Sequence, residues 1–363
     1  CSLHIRNTDG SLIQPEHCSC PTTSLDHWII NSKCSYEPQL QHDLSRWESL
    51  NFSRILEEAK ERWGSEQHRY SYSICHYAIR DNNIYRHCFG EYTGFASFAD
   101  AVFLSLARKM RLPNTQFVFN LGDYPLSGLR EGALPVVSWC GSANTADIVV
   151  PTYEMTNSIV RPGYIDIHTV RGNQGILWAE KKDQGIFRGR DSNEVRVKLA
   201  RLSESQPDLL DAGITRYFFM NESENPKTKS SLPFSLFFQY RYVLSVDGTV
   251  AAYRFPFLLS GSSILLKSAS EYYEHFYRQL KPFTHFIPFT IQNITESIAW
   301  ARNANQDQML QSMNEFVIDH LQPVDIFCYY ATFLQKYTAL LDEQSSRVPQ
   351  EMQLISQHSI TNG

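Results

Sequence analysis

Short apolar strands alternating with helical segments predict an α/β protein made of two Rossmann-like halves that face a cleft. Three observations carry this. Segments 117–120, 135–139 and 147–150, and later 185–188, 242–246 and 263–267, are strand-length apolar runs that end in loops rich in Gly, Pro or Asp. Helical patterns at 95–110 and 194–205 lie beside them, as a sheet with its site at the strand ends requires. The chain has 363 residues and neither a long linker nor an internal repeat. At about 100–200 residues per domain, that length makes two domains.

The elements follow in order. Residues 1–50 are irregular and rich in Cys, His, Ser and Pro, and read as a stapled N-terminal arm. Residues 55–63 have helical apolar spacing. Residues 71–85 alternate around Asp81-Asn-Asn83, a hairpin signal, with Cys75 and Cys88 flanking it at a separation suited to a bridge. Residues 95–110 form a strongly apolar, buried helix. After the strand–helix alternation of the second half, 250–259 reads as a short helix despite Pro256, and 297–321 and 325–343 as the terminal helices.

Lys+Arg is 33 and Asp+Glu is 38, a net charge of −5, which argues against a nucleic-acid or anionic-membrane partner. No apolar run approaches the ~18–20 residues that span a bilayer. Four of the eight cysteines fall in the first 34 residues. Cys18-Ser-Cys20 lacks the spacing of a zinc site, so disulfides and an oxidising compartment are the better reading. Sequons at Asn51, Asn221 and Asn293 point to the same compartment. The chain starts at Cys1 with no leader and ends with no retention tetrapeptide, which reads as a processed or excised piece.

Three segments carry candidate chemistry. Asp123, in Asn120-Leu-Gly-Asp-Tyr-Pro125, follows a strand in a turn set by Gly122 and Pro125. It suits a general base, although the local residues by themselves favour a turn aspartate that caps its own loop. Phe187-Arg-Gly-Arg-Asp-Ser192 leads into a helix that carries Arg196, with Asp191 or Ser192 as a natural N-cap. Arg188, Arg190 and Arg196 would fork onto a phosphate, or else lie solvated. In Asp247-Gly-Thr-Val-Ala-Ala-Tyr-Arg254, the small residues Gly248, Thr249, Val250, Ala251 and Ala252, with Tyr253, would bring amides close to a diphosphate that Arg254 neutralises. A plain strand–helix turn is the alternative. No GxGxxG, Walker A, GxSxG or HExxH pattern occurs, and no DxD pair stands at a strand end. His275 and His285 sit among aromatics and read as packed residues rather than metal ligands.

These segments, in this order, resemble the Rumi-type protein O-glucosyltransferases. The likeness is greatest to the branch of protein O-glucosyltransferases 2 and 3, whose members usually end in KDEL. Cys18-Ser-Cys20-Pro, Cys75-His-Tyr, Ser138-Trp-Cys-Gly-Ser142, Asp147-Ile-Val-Val-Pro-Thr-Tyr153, Tyr272-Tyr-Glu-His-Phe276 and Asp325-Ile-Phe-Cys-Tyr-Tyr330 complete the set, which covers residues 16–340. The resemblance implies a GT-B fold, with an acceptor-side domain of residues 1–160 plus 325–363 and a UDP-sugar domain of residues 161–324. It implies inverting transfer of glucose from UDP-glucose to a Ser hydroxyl of folded EGF-like repeats, as in Notch. No cofactor or metal beyond the donor is expected. The enzyme is expected to be a monomer in the endoplasmic reticulum lumen. Use of UDP-xylose, or a non-catalytic role in binding EGF repeats, are the alternatives. The family's base falls on Asp123 and its donor positions on Arg196 and 249–254. Arg190 falls on a nucleotide-sugar contact, where the better-known branch has Ser. The family disulfide implies Cys18–Cys328, which leaves Cys20 for Cys34. The filamin-like domain that usually precedes this region is not part of the sequence, and neither is the retention signal.

Overall fold

Asp81 and Asn82 both take positive φ, 50° and 64°, which matches the tight turn that two right-twisted strands need. The hairpin that results is the first pair of strands in a computed structural model describing residues 21–35, 37–64, 73–90, 93–160, 165–172, 176–342 and 351–355. Its strands are β1 Ser73–Arg80, β2 Asn83–Gly90, β3 Thr115–Asn120, β4 Val137–Ser138, β5 Gly141–Ser142, β6 Ile148–Val149, β7 Lys182–Arg190, β8 Leu210–Arg216, β9 Tyr240–Ser245, β10 Ile264–Ser268, β11 Tyr272–Tyr273, β12 Ile287–Phe289 and β13 Gln353–Leu354.

The chain divides into two compact units. The first is Cys1–Trp139, Asn144–Tyr153 and Val324–Gly363; the second is Cys140–Ala143 and Glu154–Pro323. These bounds differ from 1–160 plus 325–363 and 161–324 at three places, the smallest being Val324, which goes with the first unit. Cys140–Ala143 goes with the second unit because β5 pairs with β11, and Glu154–Val160 goes with it as well.

The first unit holds a six-stranded sheet in the order β13-β2-β1-β3-β4-β6. Its β3, β4 and β6 run parallel, while β1, β2 and β13 pair antiparallel. Tyr77, Phe103 and Phe117 are fully buried, with ring centroids 5.3–5.7 Å apart, and Phe333 of the terminal helix Pro323–Leu340 closes on Phe117 at 5.4 Å. That helix is also pinned by hydrogen bonds from Tyr329 to the Val149 carbonyl and from Tyr330 to the Pro151 carbonyl, 2.9 and 2.8 Å.

The second unit is a five-stranded, all-parallel sheet in the order β12-β10-β9-β7-β8. Its inner strands β9 and β10 are mostly apolar and buried almost throughout, as parallel strands covered on both faces are. Counted by appearance the order is 2-1-3-4-5, the doubly wound arrangement, whose topological switch lies between β7 and β9.

The disulfides correct one expectation. Cys328 bonds Cys34, with Cα atoms 5.2 Å apart, so neither Cys18–Cys328 nor Cys20–Cys34 forms. Cys34 follows the helix Leu25–Asn31, and Gln335 Nε2 donates to Asp26 Oδ1 at 2.5 Å, so the terminal helix brings this loop to Cys328. Cys18 and Cys20 lie outside the described residues. Closing a loop 294 residues long removes unfolded-state entropy on the order of 5 kcal/mol. Cys75 and Cys88 stand opposite one another in the β1–β2 register and are bonded. Cys140 is buried and belongs to neither bridge.

Several elements depart from the sequence reading, the helices Leu25–Asn31 and Pro38–Leu44 within the stretch read as irregular among them. The helix expected over 297–321 is two, Ile294–Asn303 and Gln306–His320, because Asn305 caps the second by accepting from Gln308 N at 3.1 Å. The helix expected over 250–259 shrinks to Phe255–Leu259, with Pro in its first turn. Strands β8 and β12 were not foreseen.

Candidate active site

Strand β3 ends at Asn120, and the side chain of Asn120 builds the loop that follows. Its Nδ2 donates to the Tyr124 carbonyl at 2.7 Å and to Ser138 Oγ at 3.1 Å, and its Oδ1 accepts from Gly122 N at 2.9 Å. Ser138, ending β4, donates to Asp147 Oδ1 at 2.5 Å. Asp147 accepts from the amides of Leu126 and Ser127, both at 2.9 Å. Burial pushes the Asp147 carboxyl up, and these hydrogen bonds work against that shift. Three motifs separate in sequence thus become one buried network that fixes residues 121–127 from below. At the tip, Asp123 opens to solvent on its own unit, while the protein around it partly desolvates its carboxyl and raises its pKa. A fixed, accessible carboxylate with a raised pKa has the properties of a general base.

The second unit gathers the arginines at its switch point, where the carboxyl ends of β7 and β9 meet. Their roles divide. Arg196, 6% exposed, donates from Nε to the Asp247 carbonyl at 2.7 Å and from Nη2 to the Val246 carbonyl at 2.9 Å. Its Nη1 reaches Ser192 Oγ at 3.0 Å and the Arg190 carbonyl at 3.3 Å, and its guanidinium lies over the Phe187 ring. Burial, with the nearby charge of Arg254, pulls Arg196 down to about 9, against the opposing pull of Asp247. Arg196 is therefore first a clamp between the two loops. Gly248 lies against it: a Cβ there would stand 3.1 Å from Nη2 and 3.2 Å from Ser192 Oγ.

Asp247 shapes the loop from the other side. Its buried carboxylate accepts from Ser270 Oγ and the Ala252 amide; burial raises its pKa, and these bonds with Lys267 and Arg196 oppose the rise. The amides of Thr249, Val250 and Ala251 donate to no group among the described residues. Arg254 spends one hydrogen bond, Nη1 to the Arg188 carbonyl at 2.6 Å, and makes no other among the described residues. Burial lowers its pKa, and Glu154 counters that. Thr249, Val250 and Ala251 thus form a stretch with unspent amides, between Gly248 and Ala252 whose amides are taken, and Arg254 beyond it is a cation with spare N–H groups; Tyr253 is buried beside it.

Two of the predicted arginines do other work. Arg188 is corrected outright: its guanidinium is consumed by Asp211, with Nη2–Oδ1 at 2.8 Å, and by the carbonyls of Asp211 and Phe187. Burial raises Asp211, but hydrogen bonds from Tyr240 and Lys229 and the charge of Arg188 outweigh it and hold the carboxyl at about 2. Arg190 is exposed and lies over the Phe218 ring, 4.9 Å from its centroid. Neither Asp191 nor Ser192 caps the helix Glu194–Ser205. Asn193 does, accepting from Val195 N at 2.9 Å, because Asp191 is already taken by the amides of Phe218, Phe219 and Met220. His275 is buried, which drives its ring down to about 3, and His285 accepts from Lys281 N. Among the described residues no group of three or more His, Cys, Asp or Glu could hold a metal ion, and no helix is long and apolar enough to cross a membrane.

The sequence profile of glycosyl transferase family 90 matches residues 30–363. The chain belongs to this family. Among similar proteins, Homo sapiens protein O-glucosyltransferase 3 is 40% identical, across 94% of this chain and 69% of its own length. Danio rerio protein O-glucosyltransferase 2 is 39% identical, across 94% and 70%. Bos taurus protein O-glucosyltransferase 1 is more distant at 26%, across 95% and 88%. As a family 90 member the chain is a glycosyltransferase, and its α/β architecture is consistent with a GT-B-type enzyme. Asn120, Asp147, Asn193 and Asp247 hold the loops, and sequence reasoning missed all four roles. The signal was present only as separate short motifs.

Proposed function

We propose that this enzyme transfers glucose from UDP-glucose to a Ser hydroxyl of a folded EGF-like repeat, such as those of Notch, with inversion and without a metal. The observation that carries the reading is the loop at the β7–β9 switch, where unspent amides at Thr249–Ala251 adjoin the available guanidinium of Arg254. This is the composition of a diphosphate cradle. The names of the relatives supply the glucosyl group and the protein acceptor. The two disulfides suit the endoplasmic reticulum lumen.

In the proposed step the acceptor Ser oxygen attacks the anomeric carbon while its bond to UDP breaks. The hydroxyl proton passes to the Asp123 carboxylate, and the bonding pair leaves with UDP. Arg254 and the loop amides stabilise the charge that grows on the diphosphate, while Arg196 holds the loop in shape.

Mass spectrometry of a folded EGF repeat incubated with UDP-glucose or UDP-xylose, with and without EDTA, tests this. A hexose increment that survives EDTA is expected. A pentose increment alone would reassign the donor. No transfer from either donor would overturn the catalytic reading in favour of a non-catalytic EGF-repeat binder. Activity lost to EDTA and restored by manganese would overturn the metal-free account.

A further inference from the structure

Beside the donor loop, the carboxyl ends of β10 and β12 wall a cavity of about 460 Å3 that the proposed transfer does not occupy; it adjoins that loop through Ser270, which donates to Asp247. Small-molecule sites run about 300–1,000 Å3. Phe283 and Trp300 stand at its mouth, 54% and 42% exposed, with ring centroids 5.0 Å apart. Phe283 holds φ at +61°, a conformation that costs a bulky residue energy and is retained where the surroundings impose it.

Charge decides the class of ligand. The one cation of the lining, Lys267, is buried, with its ammonium over the Tyr277 ring and its charge faced by Asp247 and Glu274. The rim carries the exposed carboxylate of Glu296 and the hydroxyl of Thr290. An anion gains nothing from this wall. A neutral polyol ring gains on both sides, because its C–H face suits the negative faces of the aromatics and its hydroxyls meet Thr290 and Glu296. We propose that this cavity is a binding subsite for a neutral saccharide, separate from the 246–254 loop. The sugar has two sources: an incoming carbohydrate, or the chain's own N-glycan at Asn293, which begins a sequon and also lines the cavity.

Saturation-transfer NMR on the full chain, with methyl β-glucoside and methyl β-xyloside as probes and glucuronic acid as the anionic control, decides. The parent chain is compared with Thr295→Ala, which removes the sequon without touching Asn293. Binding of the neutral probes is expected, weakened about tenfold by Trp300→Ala and unchanged by saturating UDP. A signal in both preparations assigns the cavity to an incoming sugar; a signal in Thr295→Ala alone assigns it to the chain's own glycan. The proposal is overturned by silence in both, by equal binding in Trp300→Ala, by displacement with UDP, or by glucuronic acid binding as well as the glucoside. All readouts are of binding, so failure of the transfer reaction itself leaves this result intact.

Discussion

The loop after β3 and the loop after β9 are built alike with opposite charge. In the first, a buried carboxylate, Asp147, collects backbone amides and leaves a second carboxylate, Asp123, at the loop tip. In the second, a buried guanidinium, Arg196, collects backbone carbonyls and leaves a second guanidinium, Arg254, with most of its donors unspent. A charge that is fully hydrogen-bonded inside holds a shape, and its neighbour at the tip is left to do chemistry. Removing the inner charge should therefore cost stability, and removing the outer one should cost function.

The largest effect expected is on rate. Asp123→Asn should lower kcat by about 10²–10⁴-fold, the usual contribution of a general base, with the melting temperature unchanged. Asp147→Asn should instead lower the melting temperature, because two amides and a hydroxyl lose a charged acceptor. An Asp123→Asn enzyme with parental kcat would break the comparison on this side.

The arginines come next. Arg196→Ala should destabilise the fold by about 3–5 kcal/mol in denaturant titration, since it strands the buried carbonyls of Val246 and Asp247. Arg254→Ala should weaken UDP binding about 10–100-fold by calorimetry, as loss of a charge-assisted contact does, at little cost in stability. The reverse pattern, with Arg254 structural and Arg196 dispensable to folding, would exchange the two roles.

The pH profile sharpens the assignment of Asp123. Its raised pKa places the acid limb of kcat/KM above the ordinary aspartate value of about 3.9, with the rate rising as the carboxyl ionises. A limb at or below that value would exclude it as the titrating base.

The smallest effect concerns a charge that belongs wholly to the scaffold. The Asp211 carboxyl is depressed to about 2, so its contribution is present above the unfolded value of about 4 and lost as pH falls through about 2. Asp211→Asn should cost roughly 1–2 kcal/mol at pH 7 in denaturant titration, and the gap to the parent should narrow between pH 4 and 2. A gap that is flat with pH would mean that Arg188 and Lys229 gain nothing from the ionised form.

Local signals decided the parts of the fold that local physics controls. The Asp81-Asn82 turn, the buried helix Ala96–Lys109 and the helix Glu194–Ser205 were legible because turn conformation and apolar spacing are written within a few residues. Strands β4 and β6 are only two residues each, shorter than the apolar runs that announce them, because burial continues past the point where pairing stops. The cap of Glu194–Ser205 moved to Asn193 because a distant loop, Phe218–Met220, claims Asp191, a competition that no window around residue 191 reveals.

By itself the sequence determined the α/β class, the strand ends that carry the loops, and the residue types that a diphosphate and a base require. Only the tertiary structure decided which of those residues are spent. Arg188, Arg196 and Arg254 look alike in a row of letters, but a guanidinium has a fixed set of donors and each is used once. Folding gave Arg188 to Asp211, gave Arg196 to the carbonyls of two loops, and left Arg254 its donors. The cysteines followed the same logic. Cys328 can make one bridge, and the packing of the terminal helix against the loop at Cys34 decided which.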